Sequence, residues 1–153
     1  MKTTVIEKHS ELEEVINTCE VCYLSMIDKE GKPYVLPYNF AYENNKIYLH
    51  SGNYGKKLEI LRENPDVCIA FSIGHKLFHQ HETVACSYSM LYKSVVVSGK
   101  VVFEEDIEKK IDMMNKVMLK YTNKTFEYSA PAIKNVVCFV VNIEEISGRN
   151  RGM

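Results

Sequence analysis

Hydrophobic positions along this chain fall into short alternating runs more often than into helical stripes. Leu12, Val15, Ile16 and Cys19 do recur at helical spacing. They follow Ser10-Glu11-Leu12-Glu13, a capping-box pattern in which Ser caps the helix and Glu reciprocates three residues later. A helix over 10–19 is predicted. Val21–Ile27 is rich in strand formers and stops at Asp28-Lys29-Glu30-Gly31, a polar turn with a glycine ready for positive φ. Pro33–Tyr42 and Ile47–Ser51 read as two further strands, joined by Glu43-Asn44-Asn45-Lys46. Three strands linked by two tight turns predict an antiparallel meander.

Beyond Gly55 the pattern changes. Leu58, Ile60 and Leu61 fit a short helix that Asn64-Pro65 stops. Val67–Ile73 is a fourth strand, and 74–90 is expected to contain a long loop. Leu91–Phe103 is a strong strand with Gly99 near its middle, where a bulge is expected. Ile107, Ile111, Met114, Val117 and Met118 form one stripe of a helix over Glu104–Tyr121, with acids at its start and lysines later. The Met113, Met114 and Met118 cluster reads as core or dimer interface. Val136–Ile146 is the last strand. Strands arrive as hairpins and do not alternate with helices, which excludes a doubly wound parallel sheet. The fold class is mainly β with flanking helices, a barrel or sandwich. Pro37 inside a strand marks an edge or bulge, because proline gives the ladder no donor.

Composition narrows the function classes. At 153 residues the chain fits one domain, 1–153. Nineteen basic residues against twenty acidic ones leave a net charge of -1, which argues against a nucleic-acid binder. Apolar runs such as Val136–Val141 fall far short of the roughly 20 residues a membrane helix needs. The first residues turn acidic where a signal peptide would be apolar, so a cytoplasmic protein without membrane contact is expected. Five cysteines, an odd number, then read as reduced thiols. Cys19 and Cys22 form a lone C-x-x-C, a weak sign of a redox pair or half a zinc site. With Cys22 already in a strand, the structural reading is preferred.

The segment with the most chemistry is Ile47–Leu61. A strand ends at His50-Ser51, a loop with Gly52 and Gly55 follows, and Lys56 and Lys57 open a helix. A helix N-terminus offers unpaired N–H groups and partial positive charge, the lysines add full charges, and Ser51 adds a hydroxyl. That is an anion site, or else a solvated lysine pair. It is not a Walker A loop, whose glycines lie further apart and precede Lys-Ser or Lys-Thr.

Five short motifs occur in a familiar order. They are Met26 to Gly31-x-Pro33 on a hairpin, Pro37-x-Asn39-Phe40, the stretch HSGNYGKKLEIL, Asn64-Pro65 before a strand, and Tyr92–Val101 around Gly99. In that order the chain resembles the pyridoxamine 5'-phosphate oxidase-like FMN-binding split barrels, and within them the nitroimidazole-resistance group. The resemblance spans roughly 15–147 and implies an antiparallel split β-barrel that binds FMN. It implies Lys56 and Lys57 on the flavin phosphate with Ser51 beside them, and the backbone of Leu36, Pro37, Tyr38 and Asn39 along the isoalloxazine edge. It further implies His50 flanking the ring, Ser94 where oxidases of vitamin B6 carry Gln, and two sites shared across a homodimer.

The departure is at the C-terminal end. Those oxidases close on substrate with a segment containing Trp and an Arg-Leu pair, whereas this chain has no Trp and ends Ile146-Ser-Gly-Arg-Asn-Arg-Gly-Met. The vitamin B6 reaction is therefore not expected. Arg149 and Arg151 read as a frayed basic tail, with anion binding as the alternative. What remains is an FMN-dependent oxidoreductase reducing small nitro- or quinone-type compounds; the other class is a non-catalytic flavin or haem binder for storage or sensing. No residue is assigned as catalytic acid or base. His75, His79 and His81 lack an acid or cysteine at a fixed partner spacing, so no metal is expected, and nothing orients Cys86 and His81 as a nucleophile pair. The strands Pro33–Phe40 and Leu91–Val97 carry apolar residues on both faces, which independently predicts a homodimer.

Overall fold

A computed structural model describes residues 1–153. The elements in chain order are β1 (Thr3–Val5), α1 (His9–Thr18), β2 (Cys22–Ile27), β3 (Pro33–Tyr38), β4 (Ala41–Glu43), β5 (Lys46–Gly52), α2 (Lys56–Glu63), β6 (Asp66–His79), β7 (Tyr88–Glu104), α3 (Ile107–Thr122), α4 (Ala130–Asn135) and β8 (Val136–Arg151). A 3-10 turn, Ala85–Ser87, precedes β7. Eight strands make one antiparallel sheet in the order β3-β2-β6-β7-β8-β5-β4, with β1 paired to the far end of β8. The sheet curls without closing, a split barrel with four flanking helices.

Strand alternation fills the interior of the curled sheet. Cys22, Leu24 and Met26 of β2, Ile69 and Phe71 of β6, Val95 and Val97 of β7 and Phe139 and Val141 of β8 all point inward and are buried. Phe40 packs edge-on against Phe71, and Phe139 takes the edge of Tyr38 on one side and a tilted contact with Phe103 on the other. Directional aromatic packing of this kind adds to the apolar burial that holds the interior. Gly99 is required where β7 bends. The register shifts between Ser98 and Gly99, and a Cβ there would collide with the carbonyl oxygen of Asn142.

Several expectations hold. The turn after β2 is closed by Asp28, whose carboxylate accepts from the N–H groups of Glu30 and Lys32, and Gly31 sits at φ 79°. Asn44 and Asn45 both adopt positive φ, as a tight hairpin turn demands. Pro37 lies on β3, an edge strand.

Others are corrected. The three-strand meander is broken in the middle: both expected hairpins form, β2–β3 and β4–β5, but the strand expected over Pro33–Tyr42 splits in two, and β5 pairs along its length with β8. Residues 39–40 carry the chain across the opening of the barrel, so sequence neighbours become opposite ends of the sheet. The loop expected within 74–90 is confined to 80–87, around the 3-10 turn, and the flanks on both sides are strand. After a register shift between Ile73 and Lys76, β6 and β7 continue as a paired arm, Lys76 opposite Leu91 to His79 opposite Tyr88. Solvent reaches much of that arm, so it lacks the in–out alternation that marks a half-buried strand. Helix α1 begins at His9 with Lys8 as its cap and no side-chain cap bond, so Ser10 is not the capping residue. The N–H of Ile6 bonds the carbonyl of Gly148 and leads the chain into the helix earlier. In α3 the buried positions are Lys110, Met113 and Val117, while Ile107 is exposed. The helix starts at Asp106, which caps Lys109, and its inner face is set by packing on the sheet.

Candidate functional site

The split in the barrel is bounded by two strand edges with no partner. On one side β3 uses only its β2-facing edge. On the other, β4 pairs with β5 only from Lys46 to Tyr48, so Leu49–Gly52 has one free edge. Backbone N–H and C=O groups on such edges are unspent hydrogen-bonding capacity. Leu36, Pro37 and Tyr38 lie on the first edge, Asn39 follows it, and His50 and Ser51 lie on the second.

Lys56 and Lys57 enter at the same place. Gly55, at φ 117°, turns the chain into α2, and its carbonyl accepts from Leu58 N–H. Both lysines therefore stand in the first turn, where the helix presents its positive end. Lys56 Nζ lies 4.7 Å from the centroid of the Tyr34 ring on β3, which ties the basic pair to the edge strand. Neither lysine forms an ion pair with a carboxylate. Lys57 is half-buried, Lys56 exposed. Tyr34 is not legible as a site residue from the sequence, because a tyrosine on an alternating strand looks like any other core position.

His50 and Tyr38 are the unusual groups. His50 Nδ1 is buried without a hydrogen-bond partner, and desolvation holds its imidazole below the usual histidine pKa, toward the neutral form. The Tyr38 hydroxyl is likewise buried and unpaired, its pKa pushed up to about 12 by burial. Ser51 is buried and its hydroxyl donates to the carbonyl of Gly52 at 2.6 Å. Leu36–Asn39, His50, Ser51, Lys56 and Lys57 thus gather around the split.

Ser94 does not join them within one chain. It lies on β7, three strands from β3, or roughly 14 Å at the usual strand spacing. It stands on the outer face of the sheet, opposite Ser72 of β6 and Arg149 of β8. That face also exposes Tyr23 and Val35, each more than half accessible, and Val96. Both β3 and β7 therefore do carry apolar residues on two faces.

The remaining candidates scatter. His75 Nε2 shares a 2.6 Å hydrogen bond with Ser72 Oγ, and His79 stacks on Tyr88, in the exposed arm. No three His, Cys, Asp or Glu side chains converge at a metal-binding distance. Cys86 is exposed in the 3-10 turn. Cys19, Cys22 and Cys138 are buried free thiols, and burial raises the Cys22 pKa to about 12, far from a reactive thiolate. Arg149 and Arg151 are no frayed tail. Both lie in β8, and Arg151 donates to Ser89 Oγ and Thr3 Oγ1. Lys120 was invisible in the sequence as anything but a surface lysine. Its Nζ is buried without a hydrogen-bond partner, 3.4 Å from the Phe40 ring centroid, and burial lowers its pKa to about 8.

Comparison with known proteins places this arrangement. The family model described as pyridoxamine 5'-phosphate oxidase matches residues 8–150. A protein of Bacteroides thetaiotaomicron named for 5-nitroimidazole antibiotic resistance, known from its crystal structure, is 45% identical, with a TM-score of 0.88 over 97% of this chain and 87% of that one. An FAD-binding protein of Mesorhizobium loti is 28% identical over 99% of this chain and all of its own, with a TM-score of 0.71. An FAD and haem binding protein of Mycobacterium smegmatis shares the fold at 12% identity, with a TM-score of 0.85 over 100% of this chain and 75% of that one. None of the curated proteins compared with the chain matches it. No helix is long and apolar enough to cross a membrane. A matched segment running from the first helix to the last strand, with a 45% identical relative of the same fold, makes this chain a member of the pyridoxamine 5'-phosphate oxidase-like family.

Proposed function

We propose that the protein binds FMN at the split of the barrel and is an oxidoreductase acting on small nitro- or quinone-type compounds. The observation that carries this reading is the coincidence of two unpaired strand edges with two lysines that have no acidic partner at a helix N-terminus. A flat heteroaromatic ring with hydrogen-bonding groups along its rim and a phosphate on a flexible chain needs both. Leu36–Asn39 would take the ring edge through backbone groups, Lys56 and Lys57 with Ser51 the phosphate, and the unpaired Nδ1 of His50 a polar atom beside the ring. When bound, the flavin supplies the electron chemistry. The chain's own part is to orient it, and to keep a neutral imidazole and an un-ionised phenol at the split.

Support also comes from relatives whose names carry a flavin and, in one case, resistance to a nitro-aromatic drug. The same reading makes the protein a homodimer. The exposed row Pro37, Tyr23, Ala70 and Val96 on the outer sheet face is apolar and continuous across four strands, and a second copy related by a two-fold axis would cover it. Such a partner would also bring its Ser94 toward a site that one chain leaves incomplete.

Purified protein reconstituted with FMN should show flavin absorbance at one FMN per chain and sediment at twice the chain mass. Riboflavin should bind poorly, and NADH or NADPH should support reduction of a nitro-aromatic or quinone. Bound flavin that accepts no electrons would favour a binder or sensor, and a Soret band after haem addition would favour haem. A colourless protein that ignores FMN overturns the reading.

A further inference from the structure

Ser94 has two neighbours that no motif pointed to. In the antiparallel register Ser72, Ser94 and Arg149 stand directly opposite one another on β6, β7 and β8, so their side chains share one face. Their sequence neighbours Phe71, Val95 and Gly148 are buried, which assigns the row to the outer face. At roughly 4.8 Å between strands, two hydroxyls and a guanidinium lie in line across about 10 Å.

Arg149 is held and yet largely unspent. One of its nitrogens donates to the carbonyl of Gly148 at 3.1 Å, which fixes the side chain near its own strand. No carboxylate pairs with it, in contrast to Lys93, which is paired with Glu11. Arg151, two residues on, spends its donors on Ser89 and Thr3. The planar fork of Arg149 therefore has free donors suited to a carboxylate.

At the other end, Ser72 opens onto a cleft of about 680 Å³ whose wall includes Val21, Tyr23 and Ile73. His75 holds the Ser72 hydroxyl in place. Apolar and aromatic wall on one side, hydroxyls in the middle and a free guanidinium beyond suit a planar molecule with an acid group. Glu20, also on the cleft wall, disfavours a second negative charge at that end.

We propose that Arg149 binds the carboxylate of an aromatic acid lying along the row Ser72–Ser94–Arg149, and that the nitro- or quinone-type compounds handled beside the flavin carry such an acid group. This rests on the flavin reading above, in which the dimer brings Ser94 of one copy toward the flavin site of the other. Arg149 is the specificity residue, and Ser94 and Ser72 orient the acid.

The test uses sodium benzoate and its neutral counterpart benzyl alcohol, titrated calorimetrically into FMN-loaded protein and into the cofactor-free chain. The loaded protein should bind benzoate at least ten-fold more tightly than benzyl alcohol. Arg149→Met should erase that margin, and Arg149→Lys should keep part of it, since ammonium keeps the charge and loses the fork. Ser72→Ala should narrow it less. Equal affinity for the two probes in wild type, or a margin that survives Arg149→Met, overturns the proposal. If Arg149→Met proves unfolded by circular dichroism, the partial loss with Arg149→Lys carries the decision. FMN affinity is measured separately. Failure of wild type to take up FMN sinks the flavin reading, while the benzoate margin in the cofactor-free chain still decides the row.

Discussion

The barrel interior and the split that opens it are built to opposite rules. Inside, Phe40, Phe71, Phe139, Leu24, Ile69 and Val95 are sealed from solvent, and the aromatic rings meet at edges and tilts. At the split, strands stop pairing, an imidazole nitrogen has no partner, and two lysines form no ion pair. The interior spends its packing on stability. The split withholds its interactions, and withheld hydrogen bonds and lysines outside any ion pair are what a ligand can use.

The contrast can be broken from the interior first. Phe139→Ala should cost about 3–5 kcal/mol in denaturant unfolding, because it strips contacts from Tyr38 and Phe103 and leaves a cavity. A loss below about 1 kcal/mol would mean the interior is looser than described. Lys57→Ala should leave the unfolding midpoint nearly unchanged and weaken FMN roughly ten- to a hundred-fold, the usual worth of a charge-assisted phosphate contact. Riboflavin should hardly notice the change. Equal losses for both flavins would place Lys57 in the fold and not at the phosphate.

Lys120 sits between the two regimes, a buried amine over an aromatic ring. Its pKa falls from 10.5 to about 8, so the folded state sheds a proton that the unfolded chain keeps between pH 8 and 10.5. Below that window wild type bears the cost of burying the charge. Lys120→Met should therefore be more stable at pH 7 by about 1–2 kcal/mol, after allowing for a partly wetted stem. The gap should close as pH rises toward 10.5. A gap constant with pH would show that packing, and not charge, separates the two. The smallest effect belongs to His50. Its lowered pKa means the unfolded chain takes up a proton first as pH falls below 6.5, so wild type loses stability there and His50→Gln does not. Parallel acid profiles for the two proteins would return His50 to the solvated histidines.

How much of this was legible in the sequence follows from how local each feature is. The turns at Asp28–Gly31 and Asn44-Asn45, the helix stop at Asn64-Pro65, the Gly99 bulge and the edge role of Pro37 all depend on near neighbours, and the chain announces them. The basic pair after Gly55 was legible for the same reason. The meander failed because β5 finds β8, some ninety residues on, and nothing local in Ile47–Ser51 encodes that choice. The Ser72–Ser94–Arg149 row and the Lys120 pocket were out of reach too, since each joins segments from distant parts of the chain. Arg149 looked like tail because its strand partner, Ser94, lies more than fifty residues earlier.

The pairing of Thr3–Val5 with Arg149–Arg151 has a kinetic side. During synthesis the first strand waits, unpaired, while every other element emerges, and its ladder can form only once residues 149–151 have left the ribosome. Contacts of such long sequence separation cost the most loop entropy and form late. Gly148 makes a close fit beside this ladder, because a Cβ there would collide with Leu12 of α1. This ladder should therefore be among the last to zip, and hydrogen exchange should find the amides of 3–6 among the last to become protected.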